Sequence, residues 1–129
     1  STVHELNPEV LARLTQIDYS RDMAFVATTH EGDDEVEVAV SRYSSLPDGE
    51  SCEFALVVAD EWHHRGVGFK MMTVLLEHAS SRGLKRMEGE VLASNTGMLT
   101  LMNEIGFTHS AHPDDAGIKV VTRDLLAGG

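Results

Sequence analysis

The sequence predicts an α/β chain, a mixed and mostly antiparallel central sheet flanked by helices. Two periodicities and one junction predict it. In the first half, apolar residues alternate in short runs joined by turns. In the second half they recur every three or four residues in two segments separated by a strand. Between the halves a strand passes straight into a helix through His63-His64-Arg65-Gly66-Val67-Gly68.

Residues 8–16 are expected to form a short helix, with Asn7 as N-cap, Pro8 at the first helical position and Val10, Leu11 and Leu14 at helical spacing. Residues 23–29 read as a strand, and Glu31-Gly32-Asp33-Asp34-Glu35 as a turn. Residues 36–43 then alternate, Val36, Val38 and Val40 against Glu37, Ala39 and Ser41, as the second arm of a hairpin. Pro47-Asp48-Gly49 turns the chain into a third strand over 52–59. There Cys52, Phe54, Leu56 and Val58 face one way and Glu53, Ala55, Val57 and Ala59 the other. Val67, Met71, Val74, Leu75, His78 and Ala79 next share one face of a helix of about five turns that ends at Gly83. Residues 85–93 follow as a strand, 95–104 as a second helix stopped by Gly106, and 107–110 with 118–125 as a terminal strand pair.

A length of 129 residues with 42% apolar content suits one globular domain with a core and leaves no room for a second. The net charge of -11 is unevenly placed. Residues 1–61 hold 14 acids and 3 bases, residues 62–129 hold 7 of each. No cluster of Lys and Arg exists to displace counterions, which argues against nucleic acid and anionic lipid as partners. Apolar runs are too short to span a bilayer, and Ser1-Thr2-Val3-His4-Glu5 lacks a signal-peptide pattern, so a soluble cytoplasmic protein is expected. The single Cys52 excludes an internal disulfide framework and any Cys-based zinc cluster.

The junction carries the chemistry. Gly66 and Gly68 lie where a helix begins, and a helix start presents unpaired N–H groups and the positive end of the helix dipole. Glycines there let a phosphate approach the backbone, with Arg65 and Lys70 as the local positive charge, although a bare Gly-x-Gly also serves simply to ease a turn.

Strand, His63-His64-Arg65-Gly66-Val67-Gly68, helix, strand, Asn95, second helix and Ile105-Gly106-Phe107 together resemble the GNAT superfamily of acetyl-CoA-dependent N-acetyltransferases over nearly the whole chain. The family's pyrophosphate signature, Gln/Arg-x-x-Gly-x-Gly/Ala, falls on His63-x-x-Gly66-x-Gly68, with His63 as a departure. A closer likeness lies in Leu14-Thr15-Gln16-Ile17-Asp18-Tyr19, Arg21-Asp22-Met23-Ala24, Glu53-Phe54-Ala55, Gly89-Glu90-Val91-Leu92 and Asn95-x-x-Met98-Leu99. These are similar to the acetyltransferase domain of bacterial Pat-type protein lysine acetyltransferases. The large synthetase-like domain that often accompanies it does not lie within these 129 residues. The family's first strand is not recognisable, so a piece of a longer chain is expected.

The resemblance implies acetyl-CoA as cosubstrate and direct transfer to a lysine amine, with acyl-CoA synthetases as acceptors. It places the cofactor along Val57, Val58 and Ala59 at the strand end, His63, His64 and Arg65 in the loop, and Gly66, Val67, Gly68, Phe69 and Lys70 at the helix start. Asn95 is either a further contact or a plain N-cap. A lysine amine is neutral only about once in a thousand near pH 7.4, a cost of roughly 4 kcal/mol, so a base is required. Glu53 stands on a largely apolar strand face, a setting that favours a proton on the carboxylate, and the resemblance puts the general base there as well. The plainer reading of Glu53 is a solvated strand acid. Glu90, which shares a strand face with Glu88, is the runner-up.

The likeness also points to backbone N–H groups near Val57 and Val58 for the oxyanion. Where many members carry a thiolate-protonating Tyr, four residues before the Gly-Phe glycine, this chain has Met102; Tyr19 and Tyr43 are not assigned that role. His63 and His64 as neighbours on a loop suggest no metal site, His78 a satisfied border histidine, Cys52 a buried thiol, and Met71, Met72 and Met87 core filler, with Met98 and Met102 near the cofactor. Two other readings stay open: an acetyltransferase for a small amine, and a module that binds acetyl-CoA without catalysis. The half with zero net charge carries the expected site of the anionic cofactor, while the acidic half would draw a basic, lysine-bearing surface or serve solubility alone.

Overall fold

A computed structural model describes residues 13–18 and 21–125. The strands are β1 (Arg13–Asp18), β2 (Asp22–Glu31), β3 (Asp34–Ser45), β4 (Ser51–Val58), β5 (Arg86–Leu92), β6 (Thr108–Ala111) and β7 (Ile118–Asp124); the helices are α1 (Val67–Ser81) and α2 (Thr96–Glu104). The strands form one sheet in the order β1-β2-β3-β4-β5-β7-β6. All neighbours run antiparallel except β4 and β5, which α1 connects as a crossover.

The expected helix over 8–16 is corrected where the structure describes it. Residues 13–18 form a strand laddered to β2 from Arg13↔Thr28 to Asp18↔Met23, with Leu14 buried. The helical spacing of Leu11 and Leu14 competes here with β-branched Thr15 and Ile17 and with an open sheet edge, and a helix of two turns gains too little alone to win. Asn7, Pro8 and residues 8–12 lie outside the described residues. β1 also occupies an outer place in the sheet where no first strand is legible in the sequence.

The hairpin of β2 and β3 forms as expected, but its inward face changes phase. The register shifts between Ala27 and Thr28, leaving Val38 as an extra residue in β3. Val38 and Ala39 are therefore both buried, and beyond them Ser41 and Tyr43 point inward with Ala39, where the alternation from Val36 predicts the opposite face.

α1 buries Val67, Met71, Met72, Val74, Leu75, Leu76 and Ala79 against the sheet. The hydroxyl of Ser41, fully buried beneath it, donates to the Met71 carbonyl at 3.1 Å, which satisfies the polar group. Both helices end in a Schellman arrangement. Leu84 N–H donates to Ala79 C=O and Gly83 N–H to Ser80 C=O after α1; Phe107 N–H to Met102 C=O and Gly106 N–H to Asn103 C=O after α2. These stops return the chain to the sheet as β5 and β6.

Candidate active site

β4 and β5 pair through Ser51↔Arg86, Cys52↔Met87 and Glu53↔Glu88 and then part. The ladder on the other side of β4 fixes what the opening exposes. Ala59 N–H donates to Val38 C=O at 2.8 Å and Leu46 N–H to Ser51 C=O at 2.9 Å. By antiparallel alternation the odd-numbered residues of β4 therefore turn their backbone groups to β3, and Phe54, Leu56 and Val58 turn theirs toward β5. Of the expected pair Val57 and Val58, only Val58 aims its N–H into the gap, and its companion there is Leu56. Val57 pairs with Val40, and its side chain is 66% exposed on the outer face.

A cavity of about 400 Å³ fills the gap. Arg42 and Ser44 reach it from β3, Glu53 and Leu56 from β4, Glu90 and Leu92 from β5, and Asn95 and Met98 from the start of α2. Glu53 is the last residue of β4 still paired with β5, so its carboxylate stands at the fork. It is exposed, as are Ala55 and Val57 on the same face, so the apolar enclosure expected of it is not there. Glu90, also exposed, places Oε2 3.2 Å from His112 Nε2, a partner absent from the sequence reading.

At the far end of β4 a 3-10 turn over Asp60–Trp62 leads into the loop. The His63 ring donates through Nε2–H to the Val58 carbonyl at 2.9 Å, which ties the loop back to the strand that flanks the gap. His64 lies at φ 62° and Gly66 at φ 82°, both in the left-handed region. The first α1 bond here is Lys70 N–H to Gly66 C=O at 3.1 Å, so the amides of Val67, Gly68 and Phe69 have no partner within the helix. No side chain caps this end and no acid lies in its first turn. Such an end suits an anion, and a diphosphate fits the donor set.

Gly68 packs between α2 and β4: a Cβ there would sit 3.0 Å from Leu101 Cδ2 and 3.8 Å from Val58 Cγ2. Arg65 is stacked over Trp62 at 4.2 Å, Phe69 is 51% exposed, and Lys70 is half-buried beside them.

Asn95 is the N-cap of α2, its Oδ1 accepting the Met98 N–H at 3.1 Å, while it also lines the cavity. Met98 lines it too, but Met102 is buried in the core, so that position offers no group to a leaving thiolate. Tyr43 is buried, its hydroxyl 2.9 Å from His78 Nδ1; Tyr19 lies outside the described residues. Cys52 is fully buried, and burial, reinforced by the charge of Glu88, pushes its thiol up to about 12. Among the described residues no three His, Cys, Asp or Glu side chains gather for a metal, and no helix is long and apolar enough to cross a membrane.

A strand fork beside a helix start with unpaired amides defines a class, and comparison with known proteins agrees. The family model described as the acetyltransferase (GNAT) domain matches residues 3–108, and the chain belongs to that family. The Pseudomonas aeruginosa acetyltransferase PA5475 is 34% identical over 114 residues, 88% of this chain, and the chain spans 61% of that relative's length. The GNAT domain of PAT from S. lividans superposes with TM-score 0.70 at 23% identity, over 92% of this chain and 69% of that one. The yncA protein of Salmonella typhimurium, solved with acetyl-CoA, superposes with TM-score 0.70 at 18% identity, over 83% and 66%. GNAT members use acetyl-CoA as acetyl donor.

Proposed function

We propose that this chain transfers the acetyl group of acetyl-CoA to a lysine side chain of a protein, with an acyl-CoA synthetase as the acceptor class and Glu53 as general base. One observation carries the reading: a carboxylate stands at the fork of β4 and β5, on the same opening toward which the Leu56 and Val58 amides turn. The diphosphate would rest on the amides of Val67, Gly68 and Phe69, with Gly66 shaping the loop, and the thioester would lie along β4. Glu53 takes a proton from the ammonium, directly or through water, and the nitrogen lone pair attacks the thioester carbon. The Leu56 and Val58 amides hold the oxyanion until the C–S bond breaks. The thiolate leaves without an acid at Met102, since a thiol of pKa about 8.5 is a tolerable leaving group, and the second proton of the former amine passes to the thiolate or to water as the amide forms.

The motifs that resemble Pat-type enzymes, Glu53-Phe54-Ala55 and Gly89-Glu90-Val91-Leu92 among them, favour a protein acceptor. The exposed acids Glu31, Asp33, Asp34, Glu35 and Glu37 at the end of the β2 and β3 hairpin would draw a basic surface. A small amine is the second reading, favoured by the size of the cavity, about 400 Å³, which lies within the range of small-molecule sites. Incubation of a candidate synthetase with acetyl-CoA, followed by mass spectrometry, separates the two: a modified lysine supports the first, and turnover of free amines alone supports the second. Glu53→Gln should keep acetyl-CoA affinity and lose roughly 10²- to 10⁴-fold in kcat. An unchanged kcat removes Glu53 from the chemistry.

A further inference from the structure

The transfer chemistry above leaves Glu90 and His112 unused, although they form a built pair at the cavity. Glu90 reaches in from β5 and its Oε2 lies 3.2 Å from Nε2 of His112, which follows β6. His112 is held on its other side. Its Nδ1 accepts the Asp114 N–H at 3.0 Å, its backbone N–H donates to Ile118 C=O at 3.4 Å, and its side chain is only 19% exposed. With Nδ1 accepting, the ring proton sits on Nε2 and is donated to Glu90. One carboxylate oxygen of Glu90 is thereby oriented, and Oε1 remains to accept from something else. Glu53 borders the same cavity from the facing strand, and Arg42 is the one cation in its lining.

We propose that His112 is a positioning residue that fixes Glu90 so that Glu90 and Glu53 together receive the ammonium form of the acceptor. This rests on the reading that the cavity admits the amine, and it narrows the acceptor class. The site takes a primary alkylammonium, as in a lysine side chain, held between two carboxylates.

The probe is Nα-acetyl-lysinamide, which carries the side-chain amine and no carboxylate. In steady-state assays of the full chain, His112→Ala should raise KM for this probe about tenfold, the weight of one charge-assisted hydrogen bond, while KM for acetyl-CoA and the melting temperature stay unchanged. His112→Gln, whose amide N–H can reach Glu90, should restore most of the loss. His112→Ala should add nothing in a Glu90→Gln background. An unchanged KM in His112→Ala, or an equal loss with and without Glu90, overturns the proposal. Nitrogen-15 spectra of the ring give a second readout that needs no turnover. The probe should move the His112 signals, of the Nε2–H tautomer, in the wild type and not in Glu90→Gln. Unmoved signals also overturn it. Moved signals in a protein that never acetylates the probe would instead sink the transferase reading and leave the pair standing.

Discussion

The ring of Phe54 lies across the bare backbone of Gly89: a Cβ built there would collide with Phe54 Cε1 and stand 2.8 Å from its Cδ1. This contact sits one residue past Glu53↔Glu88, where β4 and β5 stop pairing. Phe54 also packs against Phe107, ring centroids 5.3 Å apart, so the ring has little room to retreat. The fork that shapes the cavity thus depends on a glycine in a strand, where its lack of a side chain admits a ring. Gly89→Ala should cost about 1 to 3 kcal/mol by overpacking, read as a lower urea midpoint, and Phe54→Leu in that background should recover part of it. A midpoint unchanged by Gly89→Ala would mean that the ring is not held against β5.

The fold was legible wherever local pattern and tertiary demand agree. The face of α1 from Val67 to Ala79 and the in-and-out order of β4 both follow from spacing, because each element meets one apolar surface. At residues 13–16 a sheet edge overrides helical spacing, and in β3 a bulge at Val38 resets the phase, a matter of pairing that no single strand encodes. In the site, the Gly-x-Gly junction was legible as a motif. The direction of the Leu56 and Val58 amides was not, since it is set by the ladder with β3. His112 is not legible for the same kind of reason: it lies 22 positions from Glu90 and meets it through the pairings of β5 with β7 and of β7 with β6.

Gly66 tests the anion site. Its φ of 82° makes the left-handed turn into α1, and the space where a Cβ would stand is open within 4 Å. Gly66→Asp should therefore fold, since Asp tolerates this backbone region better than most residues, while setting a negative charge beside the amides of Val67, Gly68 and Phe69. Calorimetry with acetyl-CoA should show a loss of more than about tenfold in affinity, at least roughly 1.4 kcal/mol, and Gly66→Asn, equal in shape but uncharged, should lose less. Equal affinity in all three proteins would move the diphosphate elsewhere.

Cys52 should be inert while the chain is folded. It is fully buried, its Sγ–H donates to Arg86 C=O at 3.7 Å, and its thiol is pushed up to about 12. At pH 8 only roughly one such thiol in ten thousand is ionised, against about a quarter for an ordinary cysteine. Mass spectrometry after iodoacetamide treatment should find the native protein unmodified over a period that fully labels it in denaturant. Comparable labelling in both states would show that β4 opens readily at its paired end.

The Tyr43, His78 and Arg82 contact predicts how stability follows pH. Arg82 Nη1 can only donate to the Tyr43 oxygen, at 3.5 Å, so the tyrosine hydrogen is free to go to His78 Nδ1 at 2.9 Å, which must then accept. Burial lowers the His78 pKa, and the neighbouring Arg82 charge lowers it further, while Asp18 pulls the other way and Phe25 packs edge-on with ring centroids 6.0 Å apart. The folded state thus binds the His78 proton less readily than the unfolded chain, in which the group titrates near pH 6.5. Stability from this contact is present above that value and is lost as pH falls below it, because unfolding takes up a proton. The melting temperature should accordingly drop between about pH 7 and 5, ahead of the carboxylates. His78→Asn, whose amide oxygen takes the place of Nδ1 as acceptor and does not titrate, should flatten that interval. A slope equally steep in the variant would assign the effect to other groups.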